Sequence, residues 1–278
     1  MKAAQAGGAE YDARIRRADY LASAHPFAGE VLRFYSRLAE FQKTFYAEIK
    51  SDLGTDLSRR NFSSARVREL PFDSINVLPR LTTFLALLGE IAPPALAAAA
   101  RQISLLDATS QRSLLAAYWE LGGSDQQLSP FAQFVPRAFL QPLAEQRATY
   151  ASNALAESTQ HECPLCDGLP LLGVLRPEGD GGKRRLMCSF CLHEWDFRRI
   201  YCPACSEEDE TKLPVYVAEQ FPHVRVEACE TCKTYVRTID LTKDGNAVPL
   251  VDDLAAIPLS LWAQERGYTR MQPNLLGT

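Results

Sequence analysis

Cysteine is absent from the first 162 residues of this chain, and histidine is scarce throughout, with four in 278. Also missing are a nucleophile elbow, a P-loop, a dinucleotide fingerprint and a His-Glu-x-x-His run, so nothing points to a conventional active site. The expectation is a protein that is not an enzyme. Excess positive charge is lacking too: the formal net charge is −4 and the isoelectric point about 5.7. An overall basic field that would draw the chain to nucleic acid or anionic lipid is thereby excluded. The opening "MKAAQAGGAEYDARIRRADY" has no apolar run after its first charge and no small-residue cleavage site. It does not read as a secretory signal, and a cytoplasmic location is expected. An uninterrupted membrane-length apolar segment is also missing. The most apolar window, Leu81 to Ala100, is broken by Glu90, Pro93 and Pro94, and predicts two buried helices rather than stable membrane insertion.

What is present in the first part is helical periodicity. Between Phe27 and Ile49, the residues Val31, Phe34, Tyr35, Leu38, Phe41, Phe45 and Ile49 recur at spacings of three and four, which places them on one helix face. Further helices are predicted over Val77 to Glu90, Ala95 to Ile103, Ser110 to Leu121 before Gly122 and Gly123, and Phe131 to Glu157. Pro136 and Pro142 are expected to kink or divide the last. A helical domain over residues 1–158 follows. Beyond it, short β-rich runs such as "HEWDFRRIY", "PVYVAEQF" and "TYVRTIDL" alternate with Gly-rich or acidic loops. The end of the chain reads as a loop and a short helix burying Leu259, Leu261 and Trp262.

All eight cysteines fall in this second part, as four Cys-x-x-Cys pairs: Cys163 with Cys166, Cys188 with Cys191, Cys202 with Cys205, and Cys229 with Cys232. The gaps between pairs are 21, 10 and 23 residues, and both longer gaps suit two knuckles at hairpin tips converging on one tetrahedral ion. An internal repeat pairs them further. The first and third knuckles read "CPLC" and "CPAC", the second and fourth "CSFC" and "CETC", and comparable strands led by Trp195 and Tyr235 follow the latter two. This favours two sequential sites, Cys163/Cys166/Cys188/Cys191 and Cys202/Cys205/Cys229/Cys232, over a cross-braced arrangement. The modules are expected over residues 159–199 and 200–278, the second carrying the C-terminal helix.

Small hairpins bury too little apolar surface to fold alone, and a bound metal supplies on the order of 10 kcal/mol or more. All-sulfur tetrahedral sites select zinc or iron, and the ligand set fits either. His161 and His193 stand two residues from knuckle cysteines, but four cysteines already complete each site, so both are expected at the surface. The neighbouring Lys183, Arg184, Arg185, Arg198, Arg199, Arg225, Lys233 and Arg237 are expected to offset thiolate charge rather than to form a nucleic-acid face, since the acidic run "SEEDE" follows Cys205 directly.

The four knuckles in this order, together with "FLQPLAE" (Phe139 to Glu145), "RRIYCPAC", "RVEACETCKTYVRTIDL" and "VPLVDDLAAIPLSLWAQERGY", resemble the FdhE family of formate dehydrogenase accessory proteins. The resemblance implies an α+β protein with a helical N-terminal domain and two tandem rubredoxin-like or zinc-ribbon modules. It implies a cytoplasmic maturation factor that binds the catalytic subunit of a respiratory molybdenum-containing formate dehydrogenase before export, with one iron ion in each four-cysteine site and zinc as the alternative. A redox or sulfur-transfer role toward the same client is the second reading, and a nucleic-acid-binding zinc ribbon the third. The chain departs from the family at the glycine that usually follows a knuckle, which is displaced to Gly168 in the first and replaced by Ser206 and Lys233 in the third and fourth. That departure bears on the hydrogen bonding around sulfur.

Overall fold

Helical periodicity in the first part is realised as α1 (Ala3–Ala24), α2 (Gly29–Leu53), α3 (Val77–Ile91), α4 (Pro94–Ser104), α5 (Ala108–Leu121) and α6 (Pro130–Ala148). The structure is a computed structural model and describes residues 3–53, 67–69, 76–121, 130–149 and 160–277. Gly122 and Gly123, the expected continuation of the last helix to Glu157, and the 158/159 boundary lie outside the described residues. The chain divides into two units, Met1–Ile15 with Arg33–Asn153, and Arg16–Leu32 with Ala154–Thr278. No described helix is long and apolar enough to cross a membrane.

In the first unit, the predicted stripe of α2 buries Phe34, Tyr35, Leu38, Phe45 and Ile49, with Phe41 half-buried. Phe45 stacks on Phe139 of α6 at 4.9 Å, and Phe84 of α3 joins them. The apolar window from Leu81 to Ala100 is two helices, because Pro94 can start α4 but cannot continue α3. Pro136 and Pro142 do not divide α6, as one helix runs through both. Pro142 has no N–H to offer the Ala138 carbonyl, and Gln42 Nε2 donates to that oxygen instead at 2.8 Å. Deeper in the unit, Glu145 accepts from Arg14 at 2.9 and 3.1 Å and from the Tyr11 hydroxyl at 3.0 Å.

The second unit is built on a sheet. Its strands are β1 (Pro170–Glu178), β2 (Gly181–Cys188), β3 (Glu194–Asp196), β4 (Val215–Ala218), β5 (Phe221–Ala228), β6 (Thr234–Asp240) and β7 (Thr269–Arg270). The order is β3-β2-β1-β6-β5-β4, with β7 also pairing β6. The sequence repeat is thus a structural one: β3-β2-β1 and β6-β5-β4 are two antiparallel three-stranded ribbons, each a hairpin plus one more strand. They join through the parallel pair β1–β6, where Gly173 faces Thr238. A Cβ on Gly173 would lie 2.2 Å from Thr238 Oγ1, so only glycine admits this approach. The fold is therefore α+β, with two ribbon modules in one continuous sheet.

The helices α7 (Pro249–Ala255) and α8 (Ile257–Glu265) cover one face of the second ribbon, where Val224, Val226, Tyr235 and Ile239 meet Ala256, Leu259, Ala263 and Tyr268. The segment expected to be a loop is α7, and Leu261, expected to be buried, is 56% exposed. Its neighbour Leu259 takes the inward position. Asp253 of α7 is fully buried and bonds Arg237 of β6 at 2.8 Å, Arg270 of β7 at 2.7 Å and Asn274 at 3.1 Å. Burial alone would raise its pKa, but the two guanidiniums outweigh burial and hold it below the usual carboxylate value. Asp253→Ala would leave two guanidiniums buried without a counter-charge, and a loss of about 3–5 kcal/mol is expected in urea unfolding. Because the folded pKa is depressed, this contribution is present above the unfolded carboxylate pKa and fades as pH falls through the folded one. The variant's stability should then change less than the parent's in that acid range.

Candidate metal centres

Each knuckle is a tight turn set by the same backbone bonds. The first cysteine's N–H donates to the carbonyl five residues on, at 2.8 Å from Cys163 to Gly168 and 2.9 Å from Cys188 to His193, Cys202 to Glu207 and Cys229 to Thr234. In three of the four, the residue after the second cysteine donates back to the first cysteine's carbonyl: Asp167 to Cys163, Ser206 to Cys202 and Lys233 to Cys229. Closing the turn forces that residue into the left-handed region, with φ of 57° at Asp167, 55° at Leu192, 65° at Ser206 and 56° at Lys233. These four are the non-glycine residues with positive φ among the described residues. A side chain there costs about 1 kcal/mol relative to glycine. Lys233→Gly, which gives up an exposed ion pair to Glu230, is accordingly expected to raise the thermal midpoint slightly, read by calorimetry of the metal-loaded protein.

Gly168 does different work from the glycine it displaces. A Cβ there would lie 2.9 Å from Cys188 Sγ and 3.2 Å from Cys166 Sγ, so its missing side chain makes room for the sulfurs.

The knuckles bring the sulfurs together in two sets. Cys163, Cys166, Cys188 and Cys191 form one, and Cys202, Cys205, Cys229 and Cys232 the other, each with all four Sγ atoms within 4.8 Å of one another. In the first, Cys163 and Cys191 are 3.6 Å apart and Cys166 and Cys188 3.3 Å. In the second, Cys202 and Cys232 are 3.8 Å apart and Cys205 and Cys229 3.6 Å. Four sulfurs about 2.3 Å from a tetrahedral ion stand about 3.8 Å from one another, so both sets fit such an ion. Phe190 N–H donates to Cys188 Sγ at 3.3 Å and Ala204 N–H to Cys202 Sγ at 3.4 Å, the outer-shell bonds that temper thiolate charge. Thiols packed this closely cannot ionise independently. Hydrogen bonds from Cys163 and the other two sulfurs pull Cys166 well below the usual thiol value, while bonding with Cys166 and Cys188 pushes Cys163 far up. A cation that takes the place of the shared protons removes this competition.

The two sites differ in exposure. All four ligands of the first are buried, whereas in the second Cys205 is exposed and Cys232 half-buried.

The neighbouring cations correct one expectation. Seven of the eight are turned to carboxylates rather than to thiolates: Lys183 and Arg185 to Asp196 at 2.7 and 2.9 Å, Arg184 to Glu227 at 2.7 Å, Arg198 to Glu208 at 2.8 Å, and Arg225, Lys233 and Arg237 to Asp240, Glu230 and Asp253. A cation gains more from a carboxylate than from thiolates whose charge a bound ion would already offset. His161 is not a free surface residue either. Its Nδ1 lies within hydrogen-bond distance of the Pro203 carbonyl and its Nε2 3.1 Å from Ser206 Oγ, so the residue beside the first knuckle braces the third. His193 is half-buried, and burial lowers its pKa. His223, unremarkable in sequence, bonds Asp252 at 2.8 Å in a cluster with Asp244. Arg17 already occupies that cluster, bridging Asp244 and Asp252 at 2.8 and 2.6 Å. Only long-range contacts disclose it, so no local pattern could have found it.

Comparison with known proteins agrees with this architecture. Residues 162–199 match the family described as "FdhE, central domain" and residues 200–276 that described as "FdhE, C-terminal domain". The chain is 28% identical over 278 residues to the protein named "Protein FdhE homolog" of Aquifex aeolicus (strain VF5), covering 96% of this chain and 95% of that one. It is also 28% identical over 273 residues to "Protein FdhE" of Escherichia coli (strain K12 / DH10B), covering 95% and 86%. The crystal structure of the FdhE protein from Pseudomonas aeruginosa superposes with a TM-score of 0.75 at 26% identity, over 96% of this chain and 95% of that one. With two four-cysteine ribbons in one sheet and likeness along nearly its whole length, the chain belongs to the FdhE family.

Proposed function

We propose that this protein is a non-enzymatic assembly factor that binds the immature catalytic subunit of a molybdenum-containing formate dehydrogenase in the cytoplasm, through its metal-stabilised ribbon unit, with one iron ion in each four-cysteine site. Membership of the FdhE family supports the role of a formate dehydrogenase accessory protein. The observation that carries the rest is the pair of complete tetrahedral thiolate sets, which suit a soft ion and leave no protein ligand missing. A site closed by four protein ligands is organised to hold a fold rather than to activate substrate, and the folded ribbons then offer a surface to a client. The exposed Cys205 favours a second reading, a redox or sulfur-transfer role at the second site.

The test is recovery of the catalytic subunit on the tagged protein, purified without oxygen, with elemental analysis of the same sample. Two ions per chain and recovery of the subunit are expected. Iron would give a red protein through ferric thiolate charge transfer, and zinc a colourless one. One ion or none in a fully loaded sample would remove the two-site assignment, and failure to recover the subunit would remove the client. Transfer of sulfur or electrons from the metal-loaded protein to the recovered subunit, measured directly, would select the second reading.

A further inference from the structure

The sheet of the second unit ends in a short open edge. β4 is the last strand, and no described residue pairs with its outer side. The Ala228 N–H donates to the Pro214 carbonyl at 3.0 Å, and the register continues as Val215↔Glu227, Tyr216↔Val226 and Val217↔Arg225. By the alternation of antiparallel pairing, Pro214 and Tyr216 turn their backbone groups to β5, and Val215 and Val217 turn their N–H and C=O outward. Both valines are also exposed on the face away from the C-terminal helices, at 53% and 50%. The free stretch is short, since Pro214 precedes Val215 and the register with β5 shifts after Val217, so it offers a partner the backbone groups of these two residues and no more.

From Val215 of this edge a cavity of about 180 Å³ runs inward over the same face of the sheet, walled by Leu213, Val236 and Leu175 and bordered by Ile200. That is room for one aromatic or branched aliphatic side chain, since a cavity of about 150 Å³ admits benzene. Two of the arginines that line it, Arg184 and Arg225, are paired with Glu227 and Asp240. The third, Arg199, is exposed and makes no ion pair with any described residue. The local charge left over is one cation next to an apolar pocket.

We infer that β4 and this pocket form a docking site for an extended segment of a partner protein, which adds as a strand to the free edge, seats one apolar side chain in the pocket and sets a carboxylate against Arg199. Main-chain bonds to Val215 and Val217 supply the affinity, while the pocket and Arg199 supply the selection. Residues two apart on a strand share a face, so the anchor and the carboxylate should be two positions apart in the segment. The inference rests on the accessory reading only for which protein supplies the segment.

The probe is a short β-forming synthetic peptide with Phe and Glu two positions apart, beside a version with Lys for Glu. Amide exchange is read on the full-length metal-loaded protein. The Glu peptide should slow exchange at Val215 and Val217 at least tenfold and bind severalfold better than the Lys peptide. Arg199→Glu, a surface change, should reverse that preference. Val217→Pro removes one outward N–H without touching the bonds to β5, and should weaken binding at least tenfold while the metal content stays unchanged. Unchanged exchange at β4 with both peptides, or equal binding by the Val217→Pro variant, would overturn the inference. So would protection of the same amides that grows with protein concentration in the absence of peptide, which would make the edge a seam between two copies. Overlapping peptides tiling the formate dehydrogenase catalytic subunit, run alongside, locate the natural segment. Recovery of the whole subunit is a separate readout, so the client can fail while the edge is upheld, and the reverse.

Discussion

Serine in place of Cys205 is expected to weaken the second site so that, under a mild competing chelator, one ion per chain remains, held by Cys163, Cys166, Cys188 and Cys191. Metal binding at such sites contributes about 10 kcal/mol or more, so one ligand of four accounts for about 3 kcal/mol, roughly a hundredfold in affinity. The effect should stay local, because the ligand sets are separate and the first ribbon has its own cluster of Leu171, Leu172, Val174 and Met187. Two features work the other way: the β1–β6 pairing and the brace from His161 to the third knuckle. The pairing spans three residue pairs at one end of β6, against eight in the β1–β2 hairpin, so the hairpin should hold the first site. Cys188→Ser should be more damaging, because Cys188 ends a central strand and is fully buried. The same asymmetry predicts that a chelator strips the metal in two phases, the second site first through the exposed Cys205. Metal counts for both variants and the time course of chelation decide this. Loss of both ions together in Cys205→Ser, or a single chelation phase, would mean that the ribbons act as one unit.

The metal sites were legible because their geometry is written locally. A Cys-x-x-Cys turn brings two sulfurs together without help from distant chain, and the A, B, A, B order of knuckles names the partners. The repeat also anticipates the two ribbons, but not their fusion. Nothing in the β1 sequence signals a parallel neighbour except Gly173, whose reason is visible only opposite Thr238. α1 was missed for a different cause. Its buried positions include Tyr11, Arg14, Ala18 and Leu21, which keep helical spacing but hide it behind an arginine and an alanine. Arg14 is buried because Glu145 accepts its guanidinium, a partner 131 residues away that no sequence window contains. The prolines of α6 mislead in the same way, since their effect depends on whether a side chain such as Gln42 replaces the missing donor. The fate of the cations likewise turned on tertiary partners: Arg184 pairs with Glu227 and Arg237 with Asp253, carboxylates far off in sequence, although a knuckle cysteine lies within five residues of each.

Docking of the formate dehydrogenase catalytic subunit is expected to require the loaded second site. Without the ion, the third and fourth knuckles lose the cross-link that fixes the β4–β5 hairpin between them, and the segment must be ordered again on binding. Such ordering costs about 2–5 kcal/mol, a loss of roughly thirtyfold or more in affinity. The double variant Cys229→Ser, Cys232→Ser removes two ligands from one knuckle and leaves the first site and the helical unit untouched. It should recover little of the subunit under conditions in which the parent recovers it fully. Raising the salt separates this from an electrostatic attraction. Contacts made through apolar residues and main-chain bonds weaken little, whereas a nucleic-acid complex that releases counterions loses orders of magnitude between low and moderate salt. Most of the cations beside the knuckles are already paired with carboxylates, which favours the salt-tolerant outcome. Pull-down of the subunit with the parent and the double variant, at two ionic strengths, reads both effects. Equal recovery by the two proteins would make the metal irrelevant to docking, and a steep loss with salt would move the interface from the ribbons' apolar surface to their charges.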